Sequence, residues 1–155
     1  MAGKGSRKEF NPVFAENRRA RHDYTVLDTV ECGVVLTGTE VKSVRSGGVS
    51  LAGAYGAVLG GELWLMGADI AAYKFGNRFN HEPKSRRKLL VHAKEVRELR
   101  MKTEAKGLTL IPLKVFLRRG RIKVELGVCR GKAQHDKREA IRHRELNRDL
   151  RSLAR

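Results

Sequence analysis

The chain has 155 residues, with 33 Lys and Arg against 17 Asp and Glu, a formal net charge of +16 and a pI near 10.5. That length suits one domain with an appended tail, and a charge of this sign draws polyanions, above all nucleic acid, whose condensed counterions leave as Lys and Arg replace them. An anionic membrane surface would answer to the same charge, but no apolar stretch approaches the roughly 20 residues that span a bilayer and "MAGKGSRKEF" lacks the apolar segment of a signal peptide, so a soluble, cytoplasmic protein without a membrane partner is expected.

Residues 1–14 are expected to form a flexible basic arm, because the opening stretch is too polar to bury itself. "AENRRARH" (15–22) has room for two turns of helix. "YTVLDTVECGVVLTG" (24–38) is dense in β-branched residues and reads as a strand, broken near Gly33 by a bulge or bend. "TEVKSVRSG" (39–47) reads as a short helix with Thr39 as N-cap, Val41 and Val44 on its apolar side, and Gly47 and Gly48 as its stop. In "AYGAVLGGELWLMGADI" (54–70) two apolar runs meet at Gly60-Gly61, a two-residue hairpin signal.

"YKFGNRFNHEPKSRR" (73–87) is a basic loop interleaved with Tyr73, Phe75 and Phe79, and "KLLVH" (88–92) a brief strand. "AKEVRELRMKTEAKG" (93–107) is the clearest helix, with Val96, Leu99 and Met101 as its apolar positions and Gly107 as its C-cap. "LTLIPLKVFLRR" and "RIKVELGVCR" are two strands turned at Gly120, and Pro112 demotes the first of them to an edge or bulge. Short strands at hairpin spacing, interrupted by short helices, predict a mainly β fold: a small antiparallel OB-like barrel over residues 15–130, closing around Gly127 to Cys129.

The tail, residues 131–155, reads "GKAQHDKREAIRHRELNRDLRSLAR". Asp136 can cap a helix and Glu139 stands in capping-box register, but Leu146, Leu150 and Leu153 form only a narrow apolar stripe. Arg138 with Arg142, Arg144 with Arg148, and Arg151 with Arg155 are like-charged at i, i+4, which opposes a free helix. Such a segment is expected to be disordered alone and helical when bound to RNA.

Enzymatic chemistry is not expected. There is no GxSxG, no Walker loop and no GxGxxG opening a helix after a strand. Cys32 and Cys129 are isolated and read as buried thiols, and the five histidines have no zinc-binding spacing, so no metal, cofactor or catalytic residue is assigned. "NRRARHDY" (17–24) mixes guanidinium groups with a histidine and an aromatic ring, which suits phosphates and unpaired bases but equally suits a solvated basic helix. "GTEVKSVRSGG" (38–48) sets Lys42 and Arg45 on one helical face; its composition alone favours a structural connector.

"NRRARHDY", "GTEVKS" and "GKAQHDKR", in this order and spacing, resemble the signatures of the SmpB family, the bacterial tmRNA-binding proteins of trans-translation. The similarity runs from about Asn17 to the last residue, with the hairpin and "RKLLVH" in the expected places. It implies that one barrel face grips the tRNA-like domain of tmRNA through Asn17, Arg18, His22, Glu31, Arg45 and Leu90, with Arg19 and Lys42 beside them in the same motifs. Arg18 stands where the family often has Lys; the charge is kept and the hydrogen-bond geometry changes.

The resemblance also implies a tail that crosses the ribosomal decoding centre, with Gly131 as pivot and Lys132, His135, Asp136, Lys137 and Arg138 at the decoding end. Arg142, Arg144, Arg148 and Arg151 would then lie along the empty mRNA channel. Implied partners are tmRNA, the ribosome with its 16S rRNA, and elongation factor Tu with GTP through alanyl-tmRNA; the protein itself is expected to be a monomer. Stalled ribosomes would be rescued and their nascent peptides tagged for degradation. Two rival readings are a permanent ribosomal structural protein and a general single-strand binder.

Overall fold

The alternating segments close on themselves in the computed structural model, which describes residues 12–76, 80–132 and Arg148. In chain order they are β1 (Val13–Glu16), α1 (Ala20–Asp23), β2 (Tyr24–Val34), α2 (Gly38–Arg45), β3 (Val49–Ser50), β4 (Tyr55–Leu59), β5 (Glu62–Met66), β6 (Asp69–Ile70), β7 (Arg87–Leu90), α3 (Ala93–Lys106), β8 (Thr109–Arg118) and β9 (Arg121–Gly131). The main sheet runs β1-β8-β4-β5-β7-β2-β9, and β9 pairs back onto β8. Six antiparallel strands therefore form a closed OB-like barrel with β1 added outside β8, while β3 and β6 pair separately.

Inward positions fill the barrel. Cys32, Leu63, Leu65, Leu89, Leu110, Val124, Leu126 and Val128 are buried, and Val44 of α2 and Leu99 of α3 complete the core. Where β8 and β9 turn their other face outward, Ile111, Leu113 and Cys129 are buried too, because Ala20 of α1 sits on them with Tyr24 and Val26 alongside. This small outer core fixes α1 to the barrel wall.

The hairpin at Gly60-Gly61 forms as expected, with φ of 59° and 76° at the two glycines, the left-handed pair that a two-residue turn requires. Pro112 lies at a bulge, between Pro112 and Lys114 in the β8–β9 register. Gly107 caps α3 in the left-handed conformation, and both cysteines are free and buried. Burial pushes the Cys32 thiol up to about 12, with Glu95 adding to the rise, so it stays protonated.

Five local expectations are corrected. Residues 15–22 do not form one helix: β1 takes Val13 to Glu16, two residues of which fell in the expected arm, and α1 has four residues. The cause is Asn17, whose backbone N–H donates to the Leu113 carbonyl (2.7 Å) and whose side-chain amide donates to the Pro112 carbonyl (3.1 Å), stitching the chain to the β8 bulge before the helix begins. β2 does not break at Gly33, which is paired on both sides, with Lys123 and Leu90; the bulge lies between Val26 and Asp28.

The N-cap of α2 is Thr37, not Thr39. Its hydroxyl accepts from the Glu40 N–H (3.4 Å) while Glu40 Oε1 accepts from the Thr37 N–H (2.9 Å), a complete capping box. Met101 is 68% exposed, because it lies two residues, about 200° of helix, from buried Leu99. Finally, β9 runs one residue past the expected strand end at Arg130. Gly131 still pairs with Tyr24, and the Lys132 N–H donates to the Asp23 carbonyl (3.1 Å).

Candidate nucleic-acid interface

Asn17, Arg18 and Arg19 form the turn between β1 and α1. Asn17 is half-buried, and besides its bonds to β8 its Oδ1 accepts from the Ala20 N–H (3.2 Å), so most of its side chain is engaged in holding this turn. Arg18, Arg19 and Arg21 are exposed around it. Arg19 Nε lies 3.4 Å from Asp23 Oδ2, and His22 Nδ1 lies 2.9 Å from Asp23 Oδ1, so one carboxylate orients two of the candidate side chains.

Two grooves flank this turn. The larger, about 930 Å³, has Phe14 to Ala20 as one wall and Val49 to Tyr55 as the other, and holds Asn17, Arg18 and Arg19. The smaller, about 180 Å³, runs between Arg18 and Arg21 on one side and Lys114 and Glu125 on the other. Lys132 closes the end of the segment, its Nζ donating to the Arg21 carbonyl (3.0 Å). Gly131, the expected pivot of the tail, thus ends β9 beside α1, and Lys132 follows it.

Glu31 lies outward on β2, since its neighbour Cys32 points into the core. It forms an ion pair with Arg118 of β8, reaching across the width of β9, where Glu31 stands opposite Glu125. Glu125 in turn faces Lys114 (3.8 Å). On β8, Lys114, Phe116 and Arg118 alternate onto one face, with both cations about 5.2 Å from the Phe116 ring centroid. Leu90, 50% exposed, stands opposite Gly33, where an added Cβ would come within 3.3 Å of Leu90 Cβ.

Lys42 and Arg45 are exposed on α2, outside both grooves. The helix that carries them is anchored by Glu40, a buried carboxylate in the "GTEVKS" motif that accepts from Arg87 Nε at 2.6 Å. Burial pushes the Glu40 carboxyl up, but the Thr37 backbone N–H and the Arg87 guanidinium outweigh it and hold the group below its usual range. The structure therefore gathers Asn17, Arg18, Arg19 and His22 at one turn, sets Glu31 and Leu90 on the outer barrel face, and displays Lys42 and Arg45 separately on α2.

Sequence reasoning did not single out Arg21, Lys114, Arg118 or Glu125. Alternation of Lys114, Phe116 and Arg118 along β8 was a readable signal; the pairing of Arg118 with Glu31, 87 residues away, was not. Of the expected tail residues, His135, Asp136, Lys137, Arg138, Arg142, Arg144 and Arg151 lie outside the described residues, and Arg148 is exposed. Among the described residues no group of His, Cys, Asp and Glu is placed to hold a metal ion, and no helix is long and apolar enough to cross a membrane.

Comparison with known proteins gives a consistent neighbourhood. A family profile described as SmpB protein matches residues 14–155. The chain is 51% identical over 150 residues to an SsrA-binding protein of Levilactobacillus brevis, covering 97% of this chain and 96% of that one. It is 50% identical over 138 residues to an SsrA-binding protein of Streptococcus sanguinis, covering 89% of each. A solved structure described as "tmRNA-SmpB: a journey to the center of the bacterial ribosome" matches with 50% identity and a TM-score of 0.67, over 84% of this chain and 95% of that chain.

Proposed function

The chain belongs to the SmpB family, and from that membership we propose that it is a tmRNA-binding protein of trans-translation, acting in the rescue of stalled ribosomes. The observation that carries this is the extent of the likeness: half of the residues are shared with SsrA-binding proteins across nearly the whole length, barrel and tail together. It is an RNA-binding protein by family, and recognition rather than covalent chemistry is its task.

The finer reading divides labour along the chain. Residues 15–130 grip the tRNA-like domain of tmRNA. Arg18, Arg19 and His22 at the first turn and Lys42 and Arg45 on α2 supply phosphate contacts, while on the outer face Leu90 gives apolar support and Glu31 accepts from a 2′-hydroxyl or base N–H, with Asn17 holding the turn in place. A net charge of +16 favours an RNA partner, because each Lys or Arg that replaces a condensed counterion adds to affinity. Residues 131–155, dense in Arg, reach the decoding centre and the empty mRNA channel, with 16S rRNA as their surface. Elongation factor Tu with GTP accompanies delivery of alanyl-tmRNA, and peptide transfer itself belongs to the ribosome.

Recovery of the tagged full chain from bacterial cells, with sequencing of the bound RNA, tests this. Enrichment of tmRNA far above its share of cellular RNA is expected. Recovery of ribosomal RNA in stoichiometric amounts without tmRNA enrichment would instead mark a permanent ribosomal component.

A further inference from the structure

We propose that Tyr73 and Phe75, on the loop beside α2, form a stacking platform for an unpaired base of the tmRNA, an inference that rests on the function stated above. Phe75 is 78% exposed and is not among the described residues that form or pack against the core. Its ring meets that of half-buried Tyr73 edge-on, with centroids 5.7 Å apart and planes at 70°. Each ring also carries a cation: Lys42 Nζ lies 5.5 Å from the Tyr73 centroid and Lys74 Nζ 5.9 Å from that of Phe75. Aromatic faces beside ammonium groups match a nucleotide, whose base stacks while its phosphate meets the charge.

The loop is built to hold these rings. The Asn80 side chain clamps the Tyr73 backbone in both directions, accepting from its N–H (3.2 Å) and donating to its carbonyl (2.8 Å), and the Gly76 N–H closes the turn on the same carbonyl (2.9 Å). A Cβ at Gly76 would come within 2.4 Å of Asn80 Nδ2, so only glycine leaves room for the clamp. His81 then ties the loop to the fold: its Nε2–H donates to the Ile70 carbonyl (2.8 Å), and its Nδ1 meets Thr39 Oγ1 on α2 (2.8 Å). The platform is thus continuous with the face bearing Lys42, one of the residues that the proposed function assigns to tmRNA. That continuity identifies tmRNA, rather than ribosomal RNA, as the source of the base.

The test is equilibrium binding of the full chain to a transcript of the tRNA-like domain of tmRNA. Phe75→Ala should weaken binding about tenfold with unchanged salt dependence, whereas Phe75→Trp should bind as tightly as the parent. Lys42→Ala should lower the slope of log affinity against log salt by about one. Thermal unfolding midpoints of both Phe75 variants should match the parent, since the side chain being changed is exposed. If the parent binds the transcript and Phe75→Ala binds equally well, the platform is refuted and the function stands, even should tagging on ribosomes fall. If the parent itself does not bind, the functional reading fails and the platform with it.

Discussion

Arg87 Nε donates to Glu40 Oε2 across 2.6 Å, with the two side chains 2% and 6% exposed. Arg87 also donates to the carbonyls of Ala68, Pro83 and Glu82, so one guanidinium joins α2, the segment before β6, the basic loop and β7. Removing one partner leaves the other charge buried without compensation. Arg87→Met should therefore cost about 3–5 kcal/mol in urea unfolding, far beyond an exposed Arg. A loss under about 1 kcal/mol would mean that water replaces the pair at no cost.

The same pair sets a pH dependence. The Glu40 carboxyl lies below its usual 4.5 when folded, so its contribution to stability is complete above that value and is lost as pH falls through the lower folded value. Relative to the parent, Glu40→Gln should show a flatter fall in stability from about pH 5 downward. Parallel curves would remove Glu40 from the acid limb.

Glu31 and Arg118 also form an ion pair, but with side chains 37% and 47% exposed. A double-mutant cycle with Glu31→Ala and Arg118→Ala should give a coupling of about 0.2–1 kcal/mol in stability. In tmRNA binding, Arg118→Ala should lower the salt slope by about one if this face meets phosphate. An unchanged slope would move the phosphate contacts elsewhere on the surface.

Gly56 of β4 passes so close to the barrel core that an added Cβ would lie 2.9 Å from Leu110 Cβ and 3.2 Å from Leu126 Cδ1. Both leucines are fully buried and cannot retreat. Gly56→Ala should destabilise by about 1–3 kcal/mol in chemical unfolding, through overpacking. A neutral or stabilising result would show that the barrel wall yields at this strand.

Much of this architecture was legible because short-range chemistry dictates it. Gly60-Gly61 demands a hairpin, Gly107 ends α3, and the alternation in β8 and β9 survives in the barrel wall. What sequence order hid was tertiary. Residues 15–22 have fair helix composition, yet Asn17 spends its hydrogen bonds on a β8 bulge 95 residues away, and the helix shrinks to one turn. Thr39 looked like the cap of α2 because it precedes the apolar positions. Thr37 holds that role because Glu40, three residues on, is locked by Arg87 in the reach of its N–H. Of the candidate surface, Arg18 and Arg19 could be read from a local motif, whereas Arg118 depends on a partner 87 residues distant.

The central claim is that barrel and tail have separate duties, and truncation tests it most directly. A chain ending before Asp136 keeps β9 and the Lys132 contacts with α1, and should bind isolated tmRNA with nearly the parent's affinity while peptide tagging on stalled ribosomes disappears. Equal loss of binding and tagging in that truncated chain would contradict the division of labour.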